Sequence, residues 1–356
     1  MANLLDGRLT PLLTHLRACR AAYLLSLCLL SVLVWLIAAP DISSMGNTLD
    51  IKGATDDDLY RAIAERMADG DGYYSAAAAE HRVGQYPMVP FYTVRTPLLA
   101  WLEAGLGRDV VRMLGGLLTL AGATAWAMRL HKSGFVAAEV VAAFLLYALG
   151  GFYFLAAALP LHEAWAGAFV SLAAALYRPD KAGWAVALAV IATCLREFGL
   201  MALCAGLALA LMRRDWRETL LWLAGIGAVA CLYAGHAYAV MQVRAADDIA
   251  SPGWFGFQGP AFALFNATGY SMLRLFDRVA GGAILIVALF GWSAAGRGGR
   301  LMFLFGVGVL LLVGLIARGN NGYWVLLLFP WILAGLSFLP RMVLTAVLSF
   351  RTFHKR

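Results

Sequence analysis

Apolar runs of about the length that crosses a bilayer recur along the whole chain, at about 21–40, 110–129, 135–155, 163–177, 183–197, 198–212, 219–240, 279–296, 301–317 and 323–338. A hydrocarbon core about 30 Å thick takes roughly 20 apolar residues per helical crossing, so the shorter runs near 160 and 197 also fit broken or re-entrant helices. The expected fold is all-α, a polytopic transmembrane helical protein of about ten spans. It forms a single integral membrane domain over residues 1–356, with no separate soluble domain. Composition agrees, because 62% of the 356 residues are apolar and only 14% are charged. With a mean hydropathy of +0.75, the surface is too poor in charge to face water over most of its extent. A soluble enzyme, a disordered chain and a secreted disulfide scaffold are excluded.

The five cysteines, Cys19, Cys28, Cys194, Cys204 and Cys231, sit in or beside apolar stretches. They show no CxxC pair and no metal-ligand spacing, so they read as packing residues. The first run follows Arg8, Arg17 and Arg20 like a leader's charged start. Its length and the many spans behind it point to a retained signal-anchor helix.

Basic residues set the orientation, since Lys and Arg accumulate in cytoplasmic loops. With the N-terminus inside, the short inner segments hold sixteen basic and five acidic residues, from Arg8 through Arg129, Arg178, Arg213 and Arg297 to Arg356. The excess is +11 inside and −4 outside. Both termini are expected in the cytoplasm of a bacterial inner (plasma) membrane. Two long segments, about 41–109 and 241–278, then face the periplasmic or extracellular side, and chemistry belongs there because the inner loops are too short to build a site.

In the first outer loop, residues 55–70 read as one helix with Leu59, Ile63 and Met67 on one face and charge on the other, lying along the membrane surface. Thr55 suits the N-cap and Asp58 the third helical position. Capping accounts for Asp58 but not for three adjacent carboxylates, Asp56, Asp57 and Asp58, which repel unless a cation, a proton or a basic partner compensates. The apolar stretch 97–107 is too short to cross and reads as an interfacial helix leading to the next span. The run Asp69-Gly70-Asp71-Gly72 lacks the ligand pattern of a calcium loop.

The pattern Asp56-x-x-x-Tyr60-x-x-x-Ala64, ending in Gly70-Asp71-Gly72-Tyr73-Tyr74 and followed by Arg95-Thr96-Pro97-Leu98, resembles the GT-C superfamily of membrane glycosyltransferases. Leu161-His162-Glu163, Leu195-Arg196-Glu197-Phe198-Gly199 and Arg318-Gly319-Asn320-Asn321-Gly322-Tyr323-Trp324 are similar to motifs of bacterial members. The resemblance implies transfer of a sugar from a polyprenyl-phosphate carrier to an envelope lipid, glycan or protein acceptor, on the non-cytoplasmic face and with inversion. It implies an aspartate of the first outer loop as base. Counting back from Tyr60 favours Asp56, with Asp57 and Asp58 left open.

Displacing a phosphate from an anomeric carbon needs a base at the incoming hydroxyl and positive charge at the departing group. Arg95, Arg196 and Arg318 are the expected phosphate ligands. Tyr60, His162, Glu163, Glu197, Trp254, Asn320, Asn321 and Tyr323 are expected around the substrates. Arg196 and Glu197 interrupt an apolar stretch, where ionisable residues are expensive and mark function; the structural alternative has them pair with each other or with Glu163. A divalent cation, Mg or Mn, held by Asp56, Asp58 and Glu163 would be a cofactor of such a site. Trp254 lies in an aromatic, Gly-rich second loop that either covers the site or forms an interfacial belt.

No phosphate-binding Gly-rich loop, dinucleotide fingerprint or nucleic-acid motif is present, so nucleic acid is not an expected partner. The alternative is a membrane transporter or lipid-linked sugar flippase, although no matched repeat of broken helices links the two halves. An envelope acyltransferase would call for an intramembrane histidine base, for which His236 is the candidate.

Overall fold

The computed structural model describes residues 21–37, 56–155, 161–253 and 255–353. The described parts of the segments expected to span are predominantly helical. Helix α1 (Ala21–Ile37) is followed after the outer loop by α5 (Arg108–Lys132), α6 (Ala137–Tyr153), α7 (His162–Leu176), α8 (Gly183–Leu195), α9 (Leu200–Met212) and α10 (Trp216–Val243). Then come α11 (Pro260–Gly269), α12 (Arg278–Gly291) and α13 (Gly296–Leu315). The last expected span is instead two 3-10 segments, Gly319–Leu328 and Ile332–Phe338, leading into α14 (Leu339–Phe353). Among the described residues only α5, α10 and α13 are long and apolar enough to cross a bilayer alone, and the final bent pair, broken by 50°, makes a fourth candidate.

Helix α7 and the two 3-10 segments form the centre, with nearly every residue buried. Gly167 makes this possible: a Cβ there would strike the carbonyls of Leu327 and Phe329, so the two backbones touch. Around that centre the outward faces are apolar rather than charged, with Leu117 and Leu120 on α5, Leu145 and Phe152 on α6, and Leu220, Leu223 and Leu232 on α10 all exposed. Apolar exposure on this scale is the exterior of a membrane protein.

Among the described residues, inner segments grouped by their basic residues meet at one end. Arg129 donates to the carbonyls of Ala175 and Tyr177 at 3.0 and 2.7 Å. Arg213 bonds the Tyr177 hydroxyl at 2.6 Å and pairs with the buried Glu218. Arg341 reaches Gly134 and Glu139. Cys28, Cys194, Cys204 and Cys231 are free, and Cys19 lies outside the described residues.

At the other end the first outer loop folds into α2 (Asp56–Ala68), α3 (Tyr73–Val83) and α4 (Leu98–Leu106). The surface-lying expectation for α2 is corrected here. Leu59 and Ile63 are buried in a small second core with Tyr73, Ala76, Ala77 and Met88, so its apolar stripe faces α3 and α4 rather than lipid. The second outer loop is tied to this cap by a bridge between Val89 and Ala250, by Met88 N–H to Ile249 O at 2.9 Å, and by the Arg82 to Asp248 ion pair at 2.8 Å.

Candidate active site

Helix α8 stops at Leu195 because Arg196 adopts extended backbone, and the chain restarts as α9 after a 3-10 turn at Glu197–Gly199. The break puts Arg196 inside the bundle, fully buried. Its Nε lies 2.7 Å from Glu163 on α7 and its Nη1 2.7 Å from Glu197. The guanidinium stacks on Phe198, 4.4 Å from the ring centre, and faces Trp324 at 5.5 Å. Both carboxylates pair with this cation, as the pairing alternative had it, which makes Arg196 a strut between helices, while its Nη2 is buried without a hydrogen-bond partner.

Arg95 lines the cleft of the outer cap, and the backbone around it is held by several bonds. The Tyr73 hydroxyl donates to Arg95 O, and the Thr96 hydroxyl to Cys194 O. His236 Nε2 donates to Val94 O at 3.0 Å. A carbonyl only accepts, so Nε2 carries the proton and Nδ1 accepts from the Tyr74 hydroxyl at 3.2 Å. With both nitrogens engaged, His236 anchors α10 to the cap and is no candidate base. Held by these bonds, Arg95 places Nε 3.1 Å from the Tyr60 hydroxyl and Nη1 3.9 Å from Glu197. Nη1 is buried without a hydrogen-bond partner.

The three aspartates separate. Asp57 pairs with Arg108 at the start of α5, and Asp58 with Arg61 at 2.7 Å on the exposed side of α2. Asp56 has no ion pair among the described residues. Its charge is felt by Tyr60, where together with burial it holds the phenol well above its usual range while Arg95 opposes, and by His81 and Tyr86. Tyr60 packs edge-on against the buried His162, with ring centres 4.7 Å apart, and Tyr323 lies within the field of Asp56, Glu163, Arg95 and Arg196. Tyr60, Arg95, His162, Glu197, Arg196 and Glu163 are thus linked at the outer end of the bundle, with Asp56 and Tyr323 in the same electrostatic neighbourhood.

Other expected residues fall elsewhere. Arg318 begins the 3-10 segment against Gly256 of the second outer loop, with its Nε buried and unbonded and no ion pair among the described residues. Asn321 is buried and Asn320 exposed. Trp254 and Thr55 lie outside the described residues. The cation set is not assembled: among the described residues no three His, Cys, Asp or Glu side chains come together, and Asp58 is turned toward Arg61.

A narrow cleft opens between α2, α3, α4 and α7, lined by Tyr60, Tyr73, His81, Arg95, Glu103 and His162 among others. Glu103, His81 and Arg108 are additions to the expected residues, whereas Tyr73 closes the motif quoted above. Only the period of α4, which sets Glu103 four residues after the buried Leu99, carried a signal for any of these three. No family model, curated protein or solved structure matches the chain.

Proposed function

We propose that the protein is an inverting membrane glycosyltransferase that moves a sugar from a polyprenyl-phosphate carrier to an envelope lipid, glycan or protein acceptor on the non-cytoplasmic face of a bacterial inner membrane. The observation that supports this reading is that Asp56 and Arg95 both act on the phenol of Tyr60. Asp56 is a carboxylate without a cation partner among the described residues, and Arg95 is a rigidly held cation with an unbonded Nη1.

In the proposed step the acceptor hydroxyl attacks the anomeric carbon from the face opposite the phosphate. Asp56 takes its proton, the C–O bond to the carrier breaks, and the polyprenyl phosphate leaves with the electron pair. Arg95 meets the charge that develops on the leaving oxygen, aided by Arg318. Glu163, Arg196 and Glu197 hold the helix break that supports Arg95. The gathering of basic loops at the opposite end supports cytoplasmic termini.

A transporter or lipid-linked sugar flippase is the second reading, favoured by two discontinuous helical segments meeting where Arg196 faces Trp324. Reconstituted protein given a panel of polyprenyl-phosphate sugars and membrane acceptors separates the two. Product formation that requires Asp56 supports transfer, whereas carrier crossing the bilayer unchanged supports transport. Consumption of no carrier-linked sugar overturns the transferase reading.

A further inference from the structure

Like charges repel, and the first turn of a helix is a poor place for a cation because its free N–H groups are already positive. Three arginines nevertheless gather around the start of α13, at the end of the bundle away from the outer cap. The chain there reads Gly296-Arg297-Gly298-Gly299, with no acid in the first turn of α13 and no side chain capping it. Gly298 packs directly on Arg129, since a Cβ there would lie 3.2 Å from Arg129 Cζ. Arg178 follows Tyr177, whose carbonyl Arg129 holds, and both Arg178 and Arg297 are near enough to repel the Arg129 charge. Little on the chain answers that charge. Arg129 commits Nη1 to the carbonyls of Ala174, Ala175 and Tyr177, while its Nε and Nη2 carry no bond among the described residues. Arg297 is exposed and has no hydrogen bond or ion pair among the described residues. Arg178 has one exposed partner, Asp180, at 3.2 Å.

We propose that Arg129, Arg178 and Arg297 form a binding site for the headgroup phosphate of an anionic phospholipid. The Nε–Nη2 edge of Arg129 presents two parallel donors to a phosphate, and Arg297 and Arg178 supply further charge. The position in the bilayer decides for a lipid over a soluble anion. The exposed apolar surface of α5 and α7 ends at Met128 and Leu176, one and two residues before Arg129 and Arg178. Trp184 and Trp216, near the starts of α8 and α10 on the same side, are exposed too, as side chains at headgroup level are. A lipid seated there lays its chains on the apolar exterior and its phosphate among the arginines. A zwitterionic headgroup brings an ammonium that the same arginines repel, so the site favours a lipid with net negative charge. The proposal does not depend on the transferase reading.

The test uses the full chain purified in detergent, with lipid adducts read by native mass spectrometry and stability by thermal shift. The probes are dioleoyl phosphatidylglycerol, dioleoyl phosphatidylcholine and inorganic phosphate. Phosphatidylglycerol is expected to bind more tightly than phosphatidylcholine and to raise the melting temperature more than inorganic phosphate does. Arg297→Gln removes an exposed side chain that holds nothing else among the described residues, so the fold is kept. It is expected to weaken phosphatidylglycerol binding roughly fivefold, with Arg178→Gln adding to the loss and Arg297→Lys keeping most of the binding. Arg217→Gln, an exposed charge at the same end on α10, is expected to leave it unchanged. The proposal is overturned if phosphatidylglycerol binds no better than phosphatidylcholine, or if Arg297→Gln binds it as wild type does. An equal loss in Arg217→Gln overturns it in favour of general surface charge, and an equal thermal shift with inorganic phosphate in favour of a soluble anion.

Discussion

Arg196 Nε lies 2.7 Å from Glu163 Oε1 with both side chains out of reach of solvent, and the same guanidinium holds Glu197. One cation thus ties α7 to the break between α8 and α9 in the middle of an apolar bundle. Removing one partner of such a group strands charge where it is poorly solvated, at a cost of roughly 3–5 kcal/mol. Arg196→Leu is therefore expected to lower the melting temperature sharply, and Arg196→Lys to fall between, since an ammonium lacks the fork that reaches two carboxylates. Adding Glu163→Leu to Arg196→Leu should recover part of the loss, a coupling that a double-mutant cycle of thermal unfolding reads directly. An Arg196→Leu protein that melts like wild type would remove the strut.

The three adjacent aspartates should behave differently in spite of their proximity. Asp56→Asn is expected to reduce sugar transfer by about 10²–10⁴-fold, the usual contribution of a general base, with stability nearly unchanged. Asp57→Asn breaks the link to Arg108 that ties α2 to α5, and its main effect should be on the melting temperature. Asp58→Asn removes an exposed pair with Arg61 and should cost under about 1 kcal/mol with transfer intact. Transfer rates and melting curves of the three single variants test the assignment, which fails if Asp57→Asn or Asp58→Asn is the inactive one.

Helical content and the segments that form the bundle were legible because apolar runs declare themselves without reference to neighbours. So was the sorting of loops, since Arg129, Arg213 and Arg341 carry their signal in sequence position alone. The motifs singled out Tyr60, Arg95, His162, Glu163 and Arg196, which the structure links by the Arg95–Tyr60 bond, the Tyr60–His162 ring contact and the Arg196–Glu163 ion pair. Partnership was not legible. Nothing local says that Asp57 meets Arg108, 51 residues on, or that Arg196 spends its charge on two glutamates. The α2 helix was misread for a related reason: its stripe of Leu59 and Ile63 is amphipathic whether it faces lipid or a neighbouring helix, and α3, rich in alanine, gave little sign that it was the neighbour. The final 3-10 pair was hidden because an apolar run states length and composition but not backbone path.

His81 makes the outer cap sensitive to acid. Its Nδ1 lies 3.1 Å from Pro87 O, and burial pushes its pKa down to about 4 from 6.5; Arg95 acts in the same sense, while the Pro87 bond, Asp56 and Asp248 oppose. The ring is neutral in the folded cap and takes up a proton once the cap opens. Its contribution is therefore fully present above pH 6.5 and is lost as pH falls toward 4, worth roughly 3 kcal/mol across that interval. Cap opening followed by amide exchange in α3 should become easier over this range, and His81→Asn should flatten the dependence. An unchanged slope in that variant would assign the sensitivity to another group.

The ion pair of Arg82 with Asp248 joins the two outer loops at a point where the partners are unequally placed: the arginine is about half exposed, the aspartate buried. Asp248 also accepts from Ala245 N–H at 2.7 Å, and Arg82 donates to Val243 O at 2.8 Å. The pair therefore stops the C-terminal end of α10 as well as linking the loops, and the Arg82 bond holds the Asp248 carboxyl below its usual range. Arg82→Ala leaves a buried carboxylate with one backbone donor, while Asp248→Ala leaves an arginine that water solvates. Arg82→Ala should thus be the more disruptive of the two, the reverse of what equal partners would give. Both should raise amide exchange at residues 88–89 and 249–251, where Val89 and Ala250 form their bridge, without the global loss expected of Arg196→Leu. Equal exchange in wild type and Arg82→Ala would show that the backbone bridge alone fastens the loops.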